Sequence, residues 1–177
     1  MIRRRISISL FFMAFLSPVQ DWLLYYPDRY DRSVVASLSE KAGLRAWPTA
    51  EAYRGFVAIE PAESAGGTLA VFHGNAGSAA DRIYYRDFLA LLGFRLILLE
   101  YPGYGARAGT PGEAALVADG AESLRMILEQ YGRPIYVLGE SLGATVATGA
   151  IAESRLDVDG LVLCTPWDDL ATVARAL

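Results

Sequence analysis

Residues 136–147 read YVLGESLGATVA, and this stretch decides which fold the sequence adopts. The apolar residues 136–138 have the composition of a buried strand, and the small residues after Ser141 continue as a helix. Ser141 therefore stands at a strand-to-helix turn, with a glycine two residues away on each side. A sharp turn of this kind presents a serine hydroxyl above the edge of a sheet. The pattern predicts that Ser141 is a nucleophile.

Gly139 and Gly143 fit that turn because only small residues let backbone segments approach closely. Leu142 would then open a helix, where its N–H and the helix dipole face the negative charge that develops on a reacting carbonyl oxygen. The alternative is that the Ser141 side chain merely caps an ordinary helix.

A second glycine-rich turn, HGNAGS at residues 73–78, follows the apolar run TLAVFH. Gly74 permits a tight bend, and we expect the Asn75 N–H to point toward the same oxygen site. A plain loop is the alternative. His73 is the single histidine of the chain. Its place before a tight turn favours a role in shaping the loop over a role as catalytic base.

The rest of the chain alternates strands with helices. Alternation with helices of a dozen or more residues predicts an α/β fold with a mostly parallel sheet and helices on both faces. We expect the strands to be buried on both faces. The predicted strands are 53–60, 68–73, 94–101, 134–139 and 158–166, and the predicted helices are 80–92, 113–131, 142–154 and one that begins near Trp167.

Composition excludes several kinds of function. The 177 residues suffice for one domain, and the net charge of −4 is spread without a basic face beyond the N-terminus, which argues against nucleic acid as a partner. Cys164 is the only cysteine, so no intrachain disulfide can form. One His and one Cys leave almost nothing for a zinc or copper centre. We expect no metal and no cofactor, and we interpret Cys164 as a buried core thiol.

The N-terminus has the layout of an export signal, because MIRRR precedes the apolar run ISISLFFMAFLSPV at residues 6–19. As a helix this run spans about 21 Å, against about 30 Å of bilayer hydrocarbon. We predict a signal-like or membrane-anchor segment at 1–26 and a domain at 27–177 outside the cytoplasm. The alternative is an apolar helix that lies on the domain itself.

Five ordered motifs together resemble the α/β-hydrolase superfamily, in particular its BEM46-like branch of alpha/beta hydrolase domain proteins. They are LLYYPDR (23–29), LAVFHGNAGS (69–78), LLEYPGYGARAGTP (98–111), VLGESLGATVA (137–147) and LVLCTPWDDL (161–170). The resemblance implies a Ser–Asp–His hydrolase acting on a small acyl substrate. It also implies Ser141 as the nucleophile and an oxyanion hole formed by the N–H groups of Asn75 and Leu142.

In that family the acid and the base follow the nucleophile on later loops. We therefore expect residues 27–177 to form the front two-thirds of such a domain, an incomplete α/β-hydrolase fold without the C-terminal strands and without the triad Asp and His. Asp168 and Asp169 are interpreted as the N-cap and first-turn acids of a helix. Glu140 is expected to be a buried or pocket-lining polar group.

Three aromatic residues near the predicted site, Tyr101, Tyr104 and Trp167, either line an acyl pocket or pack in the core. An open sheet edge would expose unpaired backbone groups and apolar surface, so we expect non-native self-association there. The competing function is a non-catalytic, membrane-associated binding protein that keeps the pocket without a base.

Overall fold

The computed structural model describes residues 25–58, 66–89 and 92–165. Within these ranges, six strands form one sheet in the order β1-β2-β4-β3-β5-β6. The strands are β1 (Leu44–Trp47), β2 (Gly55–Ala58), β3 (Thr68–Phe72), β4 (Arg95–Leu99), β5 (Ile135–Glu140) and β6 (Gly160–Cys164). The helices are α1 (Arg32–Ala42), α2 (Tyr84–Leu89), α3 (Glu113–Tyr131) and α4 (Leu142–Ser154), with a 3₁₀ helix at Ala79–Arg82.

The sheet is parallel around its centre and antiparallel at one edge. β3 pairs in parallel with both β4 and β5, and β5 pairs in parallel with β6. β1 and β2 add two antiparallel pairings beside β4. Because β3 lies between β4 and β5, the loops after β3 and β5 leave the same edge of the sheet side by side. The predicted α/β class and mostly parallel sheet are confirmed.

Helices cover both faces of the sheet, as predicted. All of β3 is buried, and its side chains alternate between two apolar clusters. Ala70 and Phe72 belong to the cluster that contains residues of α3 and α4. Leu69 and Val71 belong to the cluster that contains residues of α1 and of the segment around the 3₁₀ helix.

Two elements in residues 32–47 were not predicted from the sequence. α1 places only a narrow apolar stripe on the sheet, with Val35 buried and Leu38 and Ala42 packed against the cluster. β1 is only four residues long and alternates between buried Leu44, exposed Arg45 and buried Trp47. Each pattern is too short to separate from a loop by periodicity.

The prediction of one continuous helix at 80–92 is wrong. The structure has a 3₁₀ turn and then the short α2, and residues 90–91 lie outside the described ranges. Asp81 Oδ2 accepts hydrogen bonds from Ser78 N at 2.7 Å and Ser78 Oγ at 3.0 Å. This local side-chain contact tightens the first turn, since a carboxylate three residues on can bind the cap residue.

For the predicted strand 53–60, β2 covers Gly55–Ala58, and residues 59–60 are not described.

β6 departs from the expectation that every strand is buried on both faces. Its Leu161, Val162 and Leu163 are 41%, 54% and 38% exposed. Cys164, expected to be a buried core thiol, is only half-buried. Among the described residues β6 pairs only with β5, and none of these three side chains belongs to the two apolar clusters in which helices cover the central strands.

The predicted N-terminal segment and the predicted last helix fall almost wholly outside the described residues. Tyr25 and Tyr26 are described; Tyr25 is buried in the domain core, and the Tyr26 N–H donates to Asn75 Oδ1 at 3.2 Å. In the ranges 25–58, 66–89 and 92–165, no helix combines the length and hydropathy that crossing a bilayer requires.

The contact between α3, α4 and β3 leaves no room for a side chain at Gly120. A Cβ there would lie 2.8 Å from Phe72 Cε1 and 3.0 Å from Ala150 Cβ. Alanine gains about 1 kcal/mol over glycine in a helix, but overpacking a core costs about 1–3 kcal/mol. We predict that Gly120→Ala lowers the free energy of unfolding, measured by urea denaturation, whereas the helical gain alone would raise it. Ala118→Gly on the exposed side of α3 is the control, with an expected loss of about 1 kcal/mol.

The first residues of β5 and β6 are joined by Asp159, which gives a pH prediction. Asp159 accepts from Ile135 N at 2.7 Å and from Arg133 Nη2 at 2.8 Å. The Ile135 N–H, and then the Arg133 guanidinium, hold the pKa of Asp159 below its ordinary value of 3.8. Its stabilising effect is therefore present above that value and lost as the pH falls through the lower folded pKa.

We expect Asp159→Asn to be less stable than the wild type at pH 7 in urea denaturation. The difference should begin to shrink as the pH falls below the ordinary aspartate value of 3.8 and should vanish only below the lower folded pKa. Asp157→Asn is the control, because the Asp157 backbone carbonyl still accepts from Arg133 in that variant. A difference between Asp159→Asn and wild type that is constant down to pH 2 would contradict the assignment.

Candidate functional site

Ser141 connects the last residue of β5 to the first residue of α4, and its backbone is strained. Its φ of 51° and ψ of −115° lie where residues with a side chain are rarely found. Such a conformation costs about 1–3 kcal/mol and persists only where the surroundings impose it. Ser141 N donates to Cys164 O at 2.8 Å, and Ser141 O accepts from Ala144 N at 2.9 Å. The Ser141 side chain makes no capping hydrogen bond to α4, which separates this turn from an ordinary N-cap.

The surroundings impose this turn through backbone contacts that only glycine allows. A Cβ on Gly143 would lie 2.1 Å from Phe72 O and 2.6 Å from His73 O. A Cβ on Gly139 would lie 2.6 Å from Ala144 Cα. The first turn of α4 therefore rests directly on the ends of β3 and β5.

The loop that follows β3 lies beside Ser141. A Cβ on Gly74 would be 3.8 Å from Ser141 Cβ and 3.7 Å from Glu140 O. Next to it, Asn75 Oδ1 accepts from Tyr104 OH at 2.8 Å. The structure thus brings the 73–78 loop, Ser141 and the N-terminus of α4 together. The oxyanion-hole role of the Asn75 and Leu142 N–H groups stays a prediction.

His73 lies beneath this loop, with 1% of its surface exposed. Its Nδ1 is 2.7 Å from Gly74 O, which can only accept, so Nδ1 carries a proton. Its Nε2 is 3.1 Å from Glu100 Oε1. Both ring nitrogens therefore bind groups of the core. This placement suits a loop-shaping residue, and neither nitrogen is free to take a proton from Ser141.

Glu100, the partner of His73, was not predicted from the sequence. Its buried carboxylate accepts from Ala79 N at 3.2 Å, Tyr30 OH at 3.3 Å and Tyr53 OH at 3.5 Å. Burying a carboxylate without such donors would be costly. Burial, and then the charge of Glu100, raise the pKa of Tyr30 to about 12. A charged residue at the end of the apolar run LILLE was the signal that could have revealed it.

Tyr101 and Tyr104 are core residues in the described structure. They are 2% and 0% exposed, and their ring centroids lie 4.2 Å and 5.4 Å from that of His73. Tyr101 OH donates to His73 O at 2.7 Å. Both residues fix the 73–78 loop from below. Trp167, Asp168 and Asp169 lie outside the described residues.

Glu140, the residue before Ser141, is the centre of a polar cluster at the rim of the site. Its carboxylate accepts from Arg82 Nε at 2.8 Å, from Tyr84 OH at 2.9 Å and from Tyr85 OH. Burial raises the pKa of Glu140, but the hydrogen bonds from Tyr85, Arg82 and Tyr84 outweigh it, and the net pKa lies below the ordinary value. Glu140 is therefore a carboxylate at neutral pH.

Across residues 25–58, 66–89 and 92–165, no three His, Cys, Asp or Glu side chains are grouped to hold a metal ion.

Comparison with known proteins agrees with this geometry. The chain matches the family model described as serine aminopeptidase, S33, over residues 63–175, more than half of its length. Lysophosphatidylserine lipase ABHD12 of Macaca fascicularis is 31% identical over 110 residues, which cover 59% of this chain and 28% of that protein. Protein bem46 of Schizosaccharomyces pombe is 33% identical over 100 residues, which cover 54% of this chain and 33% of that protein. The chain thus spans a third or less of these relatives.

Solved structures show the same fold. An alpha-beta hydrolase from Vibrio vulnificus superposes with a TM-score of 0.60 at 18% identity, over 82% of this chain and 53% of that one. A thermostable carboxyl esterase from Bacillus coagulans superposes with a TM-score of 0.55 at 22% identity, over 62% of this chain and 38% of that one. With the strand order around β3 and the turn at Ser141, these matches show that the chain belongs to the serine aminopeptidase S33 family of α/β-hydrolases and carries a BEM46-like domain over part of its length.

Proposed function

We propose that this chain is the nucleophile-bearing part of a serine hydrolase that cleaves an ester, thioester or small amide. The observation that carries the proposal is the strained backbone of Ser141 at the N-terminus of α4. Its side chain makes no capping hydrogen bond and lies beside the turn at Gly74. Oxyanion stabilisation needs backbone donors fixed beside the nucleophile, and this arrangement supplies two segments that can present them.

In the proposed reaction, Ser141 Oγ attacks the substrate carbonyl carbon and loses its proton to a base. The Asn75 and Leu142 N–H groups stabilise the resulting oxyanion. The tetrahedral intermediate then expels the alcohol, thiol or amine, which takes up the proton, and leaves an acyl-Ser141 ester. Water activated by the same base hydrolyses that ester and releases the acid.

The base is not His73 in this proposal, because both nitrogens of its ring bind core groups. His73 is also the only histidine among the 177 residues. We therefore propose that the acid and base of the triad lie in sequence beyond these residues, and that the 177-residue chain alone turns over substrate very slowly.

A lipid monoacyl ester is the substrate class that we propose first. The relative from Macaca fascicularis is named a lysophosphatidylserine lipase, and residues 6–19 here form an apolar run after three arginines. We propose that this N-terminal segment attaches the protein to a membrane, with the domain on the extracytoplasmic side. Such an attachment would keep the Ser141 site near lipid substrates.

A second candidate function is a non-catalytic, membrane-associated binding protein. It is favoured by the same burial of the single histidine, which leaves Ser141 without a histidine base among the described residues. The two functions differ in whether Ser141 reacts faster than an ordinary serine.

Labelling with a fluorophosphonate probe separates the two functions. We expect slow labelling of the 177-residue chain that is confined to Ser141, because an oxyanion hole still accelerates reaction about 10³–10⁴-fold when the triad is broken. Peptide mass spectrometry would compare Ser141 with exposed Ser33 in the same sample, and Ser141→Ala should abolish the signal. Equal labelling at Ser141 and Ser33 would favour the binding role. Rapid labelling of Ser141 would show that the chain already holds a working base.

Gly74→Ala tests whether the 73–78 loop borders the reacting hydroxyl. The new methyl would make only ordinary contacts, 3.5 Å from Arg82 Nη2 and 3.8 Å from Ser141 Cβ, so the thermal midpoint should stay close to that of the wild type. We expect the labelling of Ser141 to slow about ten-fold or more, because the added methyl would occupy space beside the reacting hydroxyl and displace the probe from its reactive position. Gly143→Ala is the contrasting variant, since its Cβ would overlap Phe72 O and should lower the thermal midpoint as well. Unchanged labelling in Gly74→Ala would place the substrate on another side of Ser141.

A further inference from the structure

The polar cluster around Glu140 has no part in the proposed chemistry. Glu140 is the last residue of β5 and directly precedes Ser141 in the sequence. All three of its side-chain donors come from one short segment: Arg82 ends the 3₁₀ helix, and Tyr84 and Tyr85 begin α2. The Arg82 and Glu140 side chains are 17% and 16% exposed, so water screens this pair less than an ion pair on the open surface.

The Arg82 guanidinium reaches the turn and the loop at the same time. Its Nε donates to Glu140 Oε2 at 2.8 Å, and its Nη2 donates to Ala76 O at 3.4 Å. Its Nη2 lies 3.5 Å from the point where a Cβ on Gly74 would stand, and its Nη1 lies 3.1 Å from the corresponding point on Gly77. One planar group therefore contacts both the residue before the nucleophile and the backbone of the neighbouring loop.

The Arg82 contact lies between the two segments whose separation would determine the geometry of the proposed oxyanion hole. The two proposed oxyanion donors belong to different segments, Asn75 to the loop after β3 and Leu142 to the start of α4. Donors must lie within about 2.7–3.1 Å of the oxyanion, and a displacement of about 1 Å can cost about 100-fold in rate. The glycine contacts fix α4 against β3, whereas the outer part of the 73–78 loop is held by side chains and by the Pro27–Gly77 backbone bridge.

We propose that Arg82 and Glu140 act as a positioning pair that holds the 73–78 loop at a set distance from the Ser141 turn. The proposal rests on the proposed hydrolase function, since the distance matters only if both N–H groups serve one oxyanion. Neither residue touches the reacting atoms. The fork of the guanidinium carries the proposal, because its separate N–H groups bind Glu140 and Ala76 O together, whereas a lysine ammonium is a single compact charge.

The matched control is an ion pair at the opposite end of the same strand. Arg133 Nη2 lies 2.8 Å from Asp159 Oδ1 beside the first residue of β5. Its removal disturbs β5 and the stability of the domain without touching the loop or the Ser141 turn. Arg133→Gln therefore reports what the loss of an arginine ion pair on β5 does by itself.

The experiment compares Arg82→Lys, Glu140→Gln, the double variant and Arg133→Gln with the wild type. Hydrogen exchange is followed at the Ser78, Ala79 and Ser141 amides, which are hydrogen-bonded in the wild type. In parallel, the maximal rate and half-saturating concentration of fluorophosphonate labelling are measured, with thermal midpoints as a check on folding.

We expect Arg82→Lys and Glu140→Gln to raise exchange at these amides about ten-fold or more, because the local opening becomes easier. The maximal labelling rate should fall about ten- to hundred-fold, and the half-saturating concentration should change little. The double variant should add little to either single one, as expected for coupled residues. Arg133→Gln should lower the thermal midpoint and leave both other readouts unchanged.

Wild-type exchange and labelling in folded Arg82→Lys and Glu140→Gln would overturn the positioning role. Equal effects in Arg133→Gln would overturn it as well, since they would reflect general destabilisation. The two hypotheses can fail separately. Labelling of Ser141 in the wild-type protein tests the hydrolase function, and hydrogen exchange of the loop amides in the variants tests whether the pair holds the loop. Should Arg82→Lys fail to fold, Glu140→Gln provides the same comparison without changing the arginine.

Discussion

The candidate site depends on one steric constraint, the absence of a side chain at residue 143. The backbone of α4 comes so close to the carbonyl groups of Phe72 and His73 that a Cβ would overlap them. This contact fixes the N-terminus of α4 above the end of β3. Ser141 must then connect β5 to a helix that is already in place, and it does so with a positive φ. The strain at the serine is thus a consequence of packing elsewhere, which is why it can persist.

Beneath the site, a buried carboxylate joins segments that are distant in sequence. Glu100 binds His73, the Ala79 N–H that follows the 73–78 loop, and Tyr30 from residues 25–31, which form an N-terminal arm. That arm also pairs with the loops through Pro27–Gly77 and Arg29–Gly105 bridges. Because every donor helps to compensate for the buried charge, the loops at this edge of the sheet are coupled to one another. The single histidine belongs to that support.

The sequence predicted the parts of the fold that local pattern controls. Helices α3 and α4 were placed at their observed residues, because long apolar periodicity and the glycines around Ser141 define them. The short α1 and β1 were missed, since four to eleven residues with a narrow apolar stripe carry little periodic signal. The exposure of β6 could not be read either, because its apolar sequence is that of a buried strand and burial depends on neighbours.

The site shows the same division. The G-x-S-x-G pattern located the turn because its requirement is steric and lies within five residues. The hydrogen bonds that hold the loop join residues 27 and 58 positions apart, so no local pattern encodes them. The x position before Ser141 is unrestricted in the pattern, yet here it carries Glu140, whose donors come from the segment that follows the other loop of the site. Glycines thus fix the position of Ser141, and polar side chains that follow no local pattern help to hold the neighbouring 73–78 loop. A sequence that keeps the motif and changes residues 82 or 140 would keep the steric basis of the turn but lose the guanidinium contact that joins Glu140 to Ala76 O.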